Sequence, residues 1–198
     1  IPANLKCEYR ARPLGIDAES PRLSWIIGSP ERGAVQTAYR ILVSSAPEKL
    51  SSGDGDLWDS GKVLSGDTIH IGYGGKTLEP GARCHWKVCV WDADDNMSGW
   101  SADSWWEMGL LSNADWDGGW IGADSPIPWR DEGFYEDIPA PIFRKELDVK
   151  GGIKRARLYI SGLGYYEAYI NGEKVGDHVL DPGWTQYGKR VFYVTYDI

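Results

Sequence analysis

The sequence predicts an all-β protein of two consecutive sandwiches, and three observations carry that prediction. Its 198 residues hold 25 Gly, 11 Pro, 11 Trp and 11 Tyr against 2 Met and 3 Phe, a composition of short strands and tight turns rather than packed helices. Apolar residues alternate with polar ones in several separate runs, which is the period-2 signature of half-buried strands. No stretch carries a convincing amphipathic helical pattern, and residues 46–50 offer room for one short turn only. With 42% hydrophobic and 25% charged residues the chain has enough apolar material for a real core.

Taken in order, a short strand is expected at residues 5–7, followed by Leu23, Trp25 and Ile27 alternating with solvent-tolerant neighbours. Tyr39, Ile41, Val43 and Ser45 repeat the pattern, and Cys84, Trp86, Val88 and Val90 repeat it again. Shorter strands are expected at 57–59, 69–71 and 105–108. Pro13, Pro21, Gly53–Gly55, Gly74–Gly75 and Pro80–Gly81 mark the turns between them. Seven strands over residues 1–111 fit a fibronectin type III or immunoglobulin-like sandwich.

Residues 112–141 lose all period and form the linker into the next module. Their Trp116, Trp120, Trp129, Phe134 and Tyr135 argue for a segment packed on a neighbouring surface, because a solvated tether rarely carries such rings. From 142 to 198 alternation returns at 157–161 and 166–170, Asn171-Gly172 supplies a type I′ hairpin turn, and 191–196 makes a final strand. About five strands are visible where a jelly roll uses eight, so this half is expected to be a partial, truncated jelly roll.

A net charge of −8 disfavours a nucleic-acid phosphate backbone or an anionic lipid surface as partner, and no run approaches the roughly 20 apolar residues of a membrane span. Neutral ligands, sugars included, stay open. Cys84 and Cys89 are an odd number of positions apart in a strand and face opposite ways; Cys7 could bridge to either, but buried free thiols are the expected state. His70, His85 and His178 are too dispersed for a local metal triad, so no metal site is expected. Gly162-Leu163-Gly164 lies between strands rather than before a helix, which sets nucleotide chemistry aside. The pairs Asp54/Asp56 and Asp94/Asp95 sit in turn-like sequence, where Asp commonly binds nearby backbone, and no catalytic residue is assigned.

Read in order, "RPLGIDAESPRLSW", "QTAYRILVSS", "DLWDSGKV", "CHWKVCVWDADDNMSGWS", "WWEMGLL", "DWDGGWIG", "APIFRKEL" and "ARLYISGLGYYEAYINGEKVGDHVLDPGWTQYGKRVFYVTYD" resemble the N-terminal region of bacterial α-L-rhamnosidases of glycoside hydrolase family 78. The resemblance covers nearly the whole chain. It implies a fibronectin-like sandwich and a jelly-roll module assisting substrate recognition, both placed before an (α/α)6 barrel. In that family two barrel carboxylates hydrolyse terminal α-linked L-rhamnose with inversion. The barrel is absent from these 198 residues, so the segment alone is expected to be inactive and its catalytic residues none. The partners implied are a rhamnose-containing glycan or glycoside and the downstream barrel, in an extracytoplasmic bacterial setting. The alternative is a stand-alone carbohydrate-binding or structural β-sandwich protein without catalysis.

A sugar site needs an aromatic face for the apolar side of a pyranose and polar groups for its hydroxyls. Trp184 and Tyr187, with Asp181 just before, have that composition in a loop between strands; Asp177 and His178 are weaker candidates nearby. Some rhamnose-binding modules related to the family use calcium, and Asp92, Asp94, Asp95 and Asn96 have suitable atoms but read as a turn. No cofactor is expected, with calcium as the lesser alternative. Trp100 is expected to stack with cationic neighbours, Arg40 and Lys87.

Overall fold

The computed structural model describes residues 1–30, 32–123 and 139–198. The first half contains β1 (Pro2–Cys7), β2 (Arg22–Ile27), β3 (Ala38–Ser44), helix α1 (Pro47–Ser52), β4 (Trp58–Asp59), β5 (Val63–Leu64), β6 (Ile71–Gly72), β7 (Arg83–Trp91) and β8 (Ser104–Glu107). One sheet runs β1-β2-β6. The other runs β4-β3-β7-β8, with β5 pairing the start of β3, and every pairing is antiparallel. The alternating residues do what alternation predicts: Leu23, Trp25, Ile41, Val43, Trp86 and Trp106 meet between the sheets with at most 2% exposure.

Two departures have clear causes. Leu42 and Ser44 on the outer face of β3 are also buried, because α1 lies over that face and sinks Leu50 against it. The strand expected at 69–71 begins only at Ile71, since His70 adopts φ 58. On the covered side of β7, Lys87 donates from Nζ to the Leu50 carbonyl at 2.6 Å and lies 5.2 Å from the Trp100 ring centre. Arg40, the other expected partner of Trp100, instead grips Asp59 through Nε and Nη2 at 2.9 and 2.6 Å.

Trp86 Nε1 is buried without a hydrogen-bond partner among the described residues, whereas the polar groups around Gln36 are satisfied. Trp25 Nε1 donates to Gln36 Oε1 at 3.0 Å, and Gln36 Nε2 donates in turn to the carbonyls of Ser65 and Asp67. All three cysteines are free and buried; burial pushes the Cys84 thiol up to about 12, which removes thiolate chemistry at neutral pH.

Asp56 fastens the end of β3 to α1 by accepting from Ser45 N, Ser45 Oγ and Lys49 Nζ at 2.8, 2.7 and 2.7 Å. Burial raises its carboxyl, but these donors outweigh burial and hold it at about 2, below its ordinary 3.8. A depressed carboxyl contributes stability above the unfolded value and loses it as pH falls through the folded one. The stability difference between the parent chain and Asp56→Asn is therefore expected to shrink as pH drops from 3.8 to about 2, read as urea midpoints across that range. A difference independent of pH would show that the charge of Asp56 is not what holds the loop.

After β8 a short 3-10 turn at Asn113–Asp115 is fixed by Asp115, whose Oδ2 accepts from the amides of Leu111 and Ser112. Trp116 then packs edge-on against Tyr193 with centroids 5.5 Å apart. Trp120, by contrast, is 67% exposed among the described residues. Trp129, Phe134 and Tyr135 lie outside the described residues.

The second half contributes β9 (Arg157–Ser161), β10 (Tyr169–Ile170), β11 (Glu173–Lys174) and β12 (Tyr193–Asp197). β9 and β12 form an antiparallel ribbon in unbroken register from Arg157↔Asp197 to Ser161↔Tyr193. β10 and β11 make the expected hairpin, whose turn residues Asn171 and Gly172 take φ 51 and 88. The strand expected from 166 shortens to Tyr169–Ile170, because Tyr166 bridges to Asp181 instead. Among the described residues no helix is long and apolar enough to cross a membrane.

Candidate functional site

The site is assembled where the chain leaves β9 and where it returns into β12. Leaving β9, Gly162 permits a tight bend, since a Cβ there would stand 2.8 Å from the Gly164 carbonyl oxygen and 3.2 Å from the Tyr166 ring. The returning segment is tied to this bend by Tyr166 N donating to the Asp181 carbonyl at 2.9 Å. Those two loops place Tyr165 and Trp184 side by side, with ring planes within 11° and centroids 6.2 Å apart. Both rings face outward, at 53% and 73% exposure.

Asp181 is engaged by protein partners. Its carboxylate, 18% exposed, accepts from the Tyr196 hydroxyl and from His178 Nδ1 at 2.9 Å. Burial, then the bond to Asp181, pushes the Tyr196 phenol far up, so Tyr196 remains a donor at any physiological pH. Asp181 thus orients the loop that carries Trp184. Tyr187 is half-buried; its hydroxyl is shielded from solvent and unpaired among the described residues. Beyond it, Lys189 and Arg190 donate their amides to the Gln186 carbonyl at 2.8 and 3.0 Å, closing a turn, and Arg190 lies 5.2 Å over the Phe192 ring.

Of the sequence-derived candidates the structure brings His178 to Asp181, while Trp184 pairs with Tyr165. Tyr165 is not among the sequence candidates, because it stands just outside the alternating run that begins at residue 166; the signal for it is the glycine-flanked bend just before it. Elsewhere the acidic pairs serve turns. Asp92 Oδ1 accepts from the amides of Asp94 and Asn96 at 2.9 Å each, and Asp95 pairs with Lys62. Among the described residues no three His, Cys, Asp or Glu side chains come together as metal ligands would.

Parallel rings 6.2 Å apart cannot admit a sugar between them, since a ring contacted on both faces needs about 7–8 Å at ordinary carbon–carbon separations. Their outward faces are the usable surface. Such a surface can hold an apolar or sugar face, but it offers no pair of carboxylates flanking a bond. Fold and site together define a class of protein region: two consecutive β modules with an exposed aromatic pair on the loops of the second.

Comparison with known proteins specifies the class. Residues 2–112 match the family model described as the Rha78A-like, N-terminal immunoglobulin domain, and residues 151–198 match the alpha-L-rhamnosidase N-terminal domain. The chain belongs to this family of α-L-rhamnosidase N-terminal regions. An alpha-L-rhamnosidase of Formosa agariphila is 39% identical over 96% of the chain and 21% of its own length. The solved alpha-L-rhamnosidase from Dictyoglumus thermophilum superposes with a TM-score of 0.88 at 42% identity, over 99% of this chain and 23% of that one. That of Streptomyces avermitilis, solved in complex with L-rhamnose, gives 0.61 at 32%, over 99% and 20%. The chain spans about a fifth of the length of the curated relatives it matches.

Proposed function

We propose that this chain is the substrate-recognition and scaffolding front end of an α-L-rhamnosidase, a glycoside hydrolase that releases terminal α-L-rhamnose with inversion, and that it is inactive by itself. The carrying observation is the exposed parallel pair Tyr165 and Trp184, held on loops pinned by Asp181. A pyranose stacks its apolar face on Trp184, while Asp181 and Tyr187 shape the loop around it. The downstream (α/α)6 barrel of the parent enzyme supplies the two carboxylates. No cofactor is required by this reading, and the ligand is a rhamnose-containing glycan or glycoside.

The test has two arms. Release of p-nitrophenol from its α-L-rhamnoside is expected from the longest natural chain containing this segment and not from the 198 residues alone. In the second arm, Trp184→Ala is expected to weaken rhamnoside binding roughly tenfold in a calorimetric titration. Because Trp184 is 73% exposed, the same change should move folding stability by no more than about 0.5 kcal/mol. Unchanged binding in Trp184→Ala would remove the platform from the site, and release by the short chain would overturn the accessory role.

A further inference from the structure

The ribbon of β9 and β12 has two faces, and one of them rests on the first sandwich. Strand alternation puts Arg157, Tyr159 and Ser161 on the same face as Tyr193, Thr195 and Asp197. Opposite them lie three glycines of the first sandwich. A Cβ at Gly15 would stand 2.5 Å from Thr195 Oγ1, one at Gly81 3.6 Å from Tyr159 Oη, and one at Gly109 2.2 Å from Tyr193 Oη. Tyr193 Oη also accepts from Leu110 N at 2.9 Å and donates to the Leu110 carbonyl at 3.1 Å. At the other end of the ribbon, Glu107 is 1% exposed and receives Arg157 in a two-pronged grip, Nε to Oε1 at 2.6 Å and Nη2 to Oε2 at 3.1 Å. Arg83 of the first sandwich and Arg155 of the second half reach the same carboxylate at 3.0 and 3.3 Å.

A two-stranded ribbon is marginal in water by itself, and the connection from Ser161 to Tyr193 adds loop-closure entropy against it. Something outside the ribbon must hold it. We propose that the first sandwich is a docking seat for the β9–β12 ribbon, floored by Gly15, Gly81 and Gly109 and locked by Glu107, so that it sets the position of the Tyr165–Trp184 platform at the ribbon's tip. Glu107 and Tyr193 are then positioning residues; neither touches ligand. The part concerning the platform rests on the recognition role above, whereas the seat stands on its own geometry.

Hydrogen exchange in the 198-residue chain tests it. In Glu107→Gln, amides of β9 and β12 are expected to exchange on the order of a hundredfold faster, because three guanidiniums lose a buried counter-charge, while those of β3 and β7 keep their protection. Tyr193→Phe is expected to give a smaller increase confined to the same strands. Combining Glu107→Met with Arg157→Met should return part of the protection, since the most buried guanidinium leaves together with its counter-charge while Arg83, Arg155 and Asp197 keep access to water. The seat is overturned if β9 and β12 are unprotected in the parent, if Glu107→Gln leaves them unchanged, or if β3 and β7 lose protection equally. Rhamnoside titration of the same samples separates the two ideas: absent binding with ribbon exchange as expected refutes the platform and leaves the seat intact.

Discussion

Replacing Trp106 by alanine is expected to destabilise the first sandwich by about 3–5 kcal/mol, the range for removing a large ring from a close-packed core. Trp106 is fully buried on β8, edge-on to Tyr73 at 5.9 Å and to Trp86 at 6.4 Å, with its Nε1 donating to Met108 Sδ at 3.3 Å. Rigid aromatic neighbours bound the void on two sides, so the site cannot collapse to fill it. The effect should also spread, because Trp106 and Glu107 are consecutive on β8: one side chain points into the core and the next toward the second module. Urea unfolding followed by near-ultraviolet circular dichroism measures it, with Trp106→Phe as a milder comparison. A loss below about 1 kcal/mol would mean that the core repacks around the missing indole, contrary to the tight aromatic contacts.

The first sandwich was largely legible because its physics is local. Leu23 and Trp25, Tyr39 to Val43, and Cys84 to Val90 each alternate within one strand, and a two-sheet core reads that alternation out as burial. What escaped was anything decided across the chain. Leu42 looks like an outward residue until α1 covers it, and a six-residue helix carries too little periodicity to announce its own packing face. Glu107 looks like an ordinary surface acid; its partners Arg155 and Arg157 lie in the other module, and no local pattern connects them. The candidate site divides the same way. Loop composition singles out Trp184 as a candidate ring, but the engagement of Asp181 depends on Tyr196, a residue of the ribbon strand β12 that no local pattern connects to it.

Gly109→Ala is the second large effect and addresses the seat by shape rather than charge. The added methyl would stand 2.2 Å from Tyr193 Oη, and 3.0 and 3.1 Å from the carbonyl carbon and Cα of Gly15. The phenol can swing only by giving up both hydrogen bonds to Leu110, and the Gly15 backbone is itself held by Ile16 N donating to the Glu107 carbonyl at 3.0 Å. Overpacking and two lost bonds together predict a loss of about 2–4 kcal/mol in the docking of β9 and β12. Gly109 is not among the residues at positive φ, so alanine carries no backbone penalty there and the cost is steric. Gly118→Ala is the matched control: no atom lies within 4 Å of its added Cβ, and its effect should be near zero. Scanning calorimetry distinguishes them. The parent and Gly118→Ala should unfold with the second half coupled to the first, whereas Gly109→Ala should release the ribbon in a separate transition at lower temperature. Coincident unfolding of all three would mean that the modules touch at these glycines without depending on the contact, and the ribbon would then need another support.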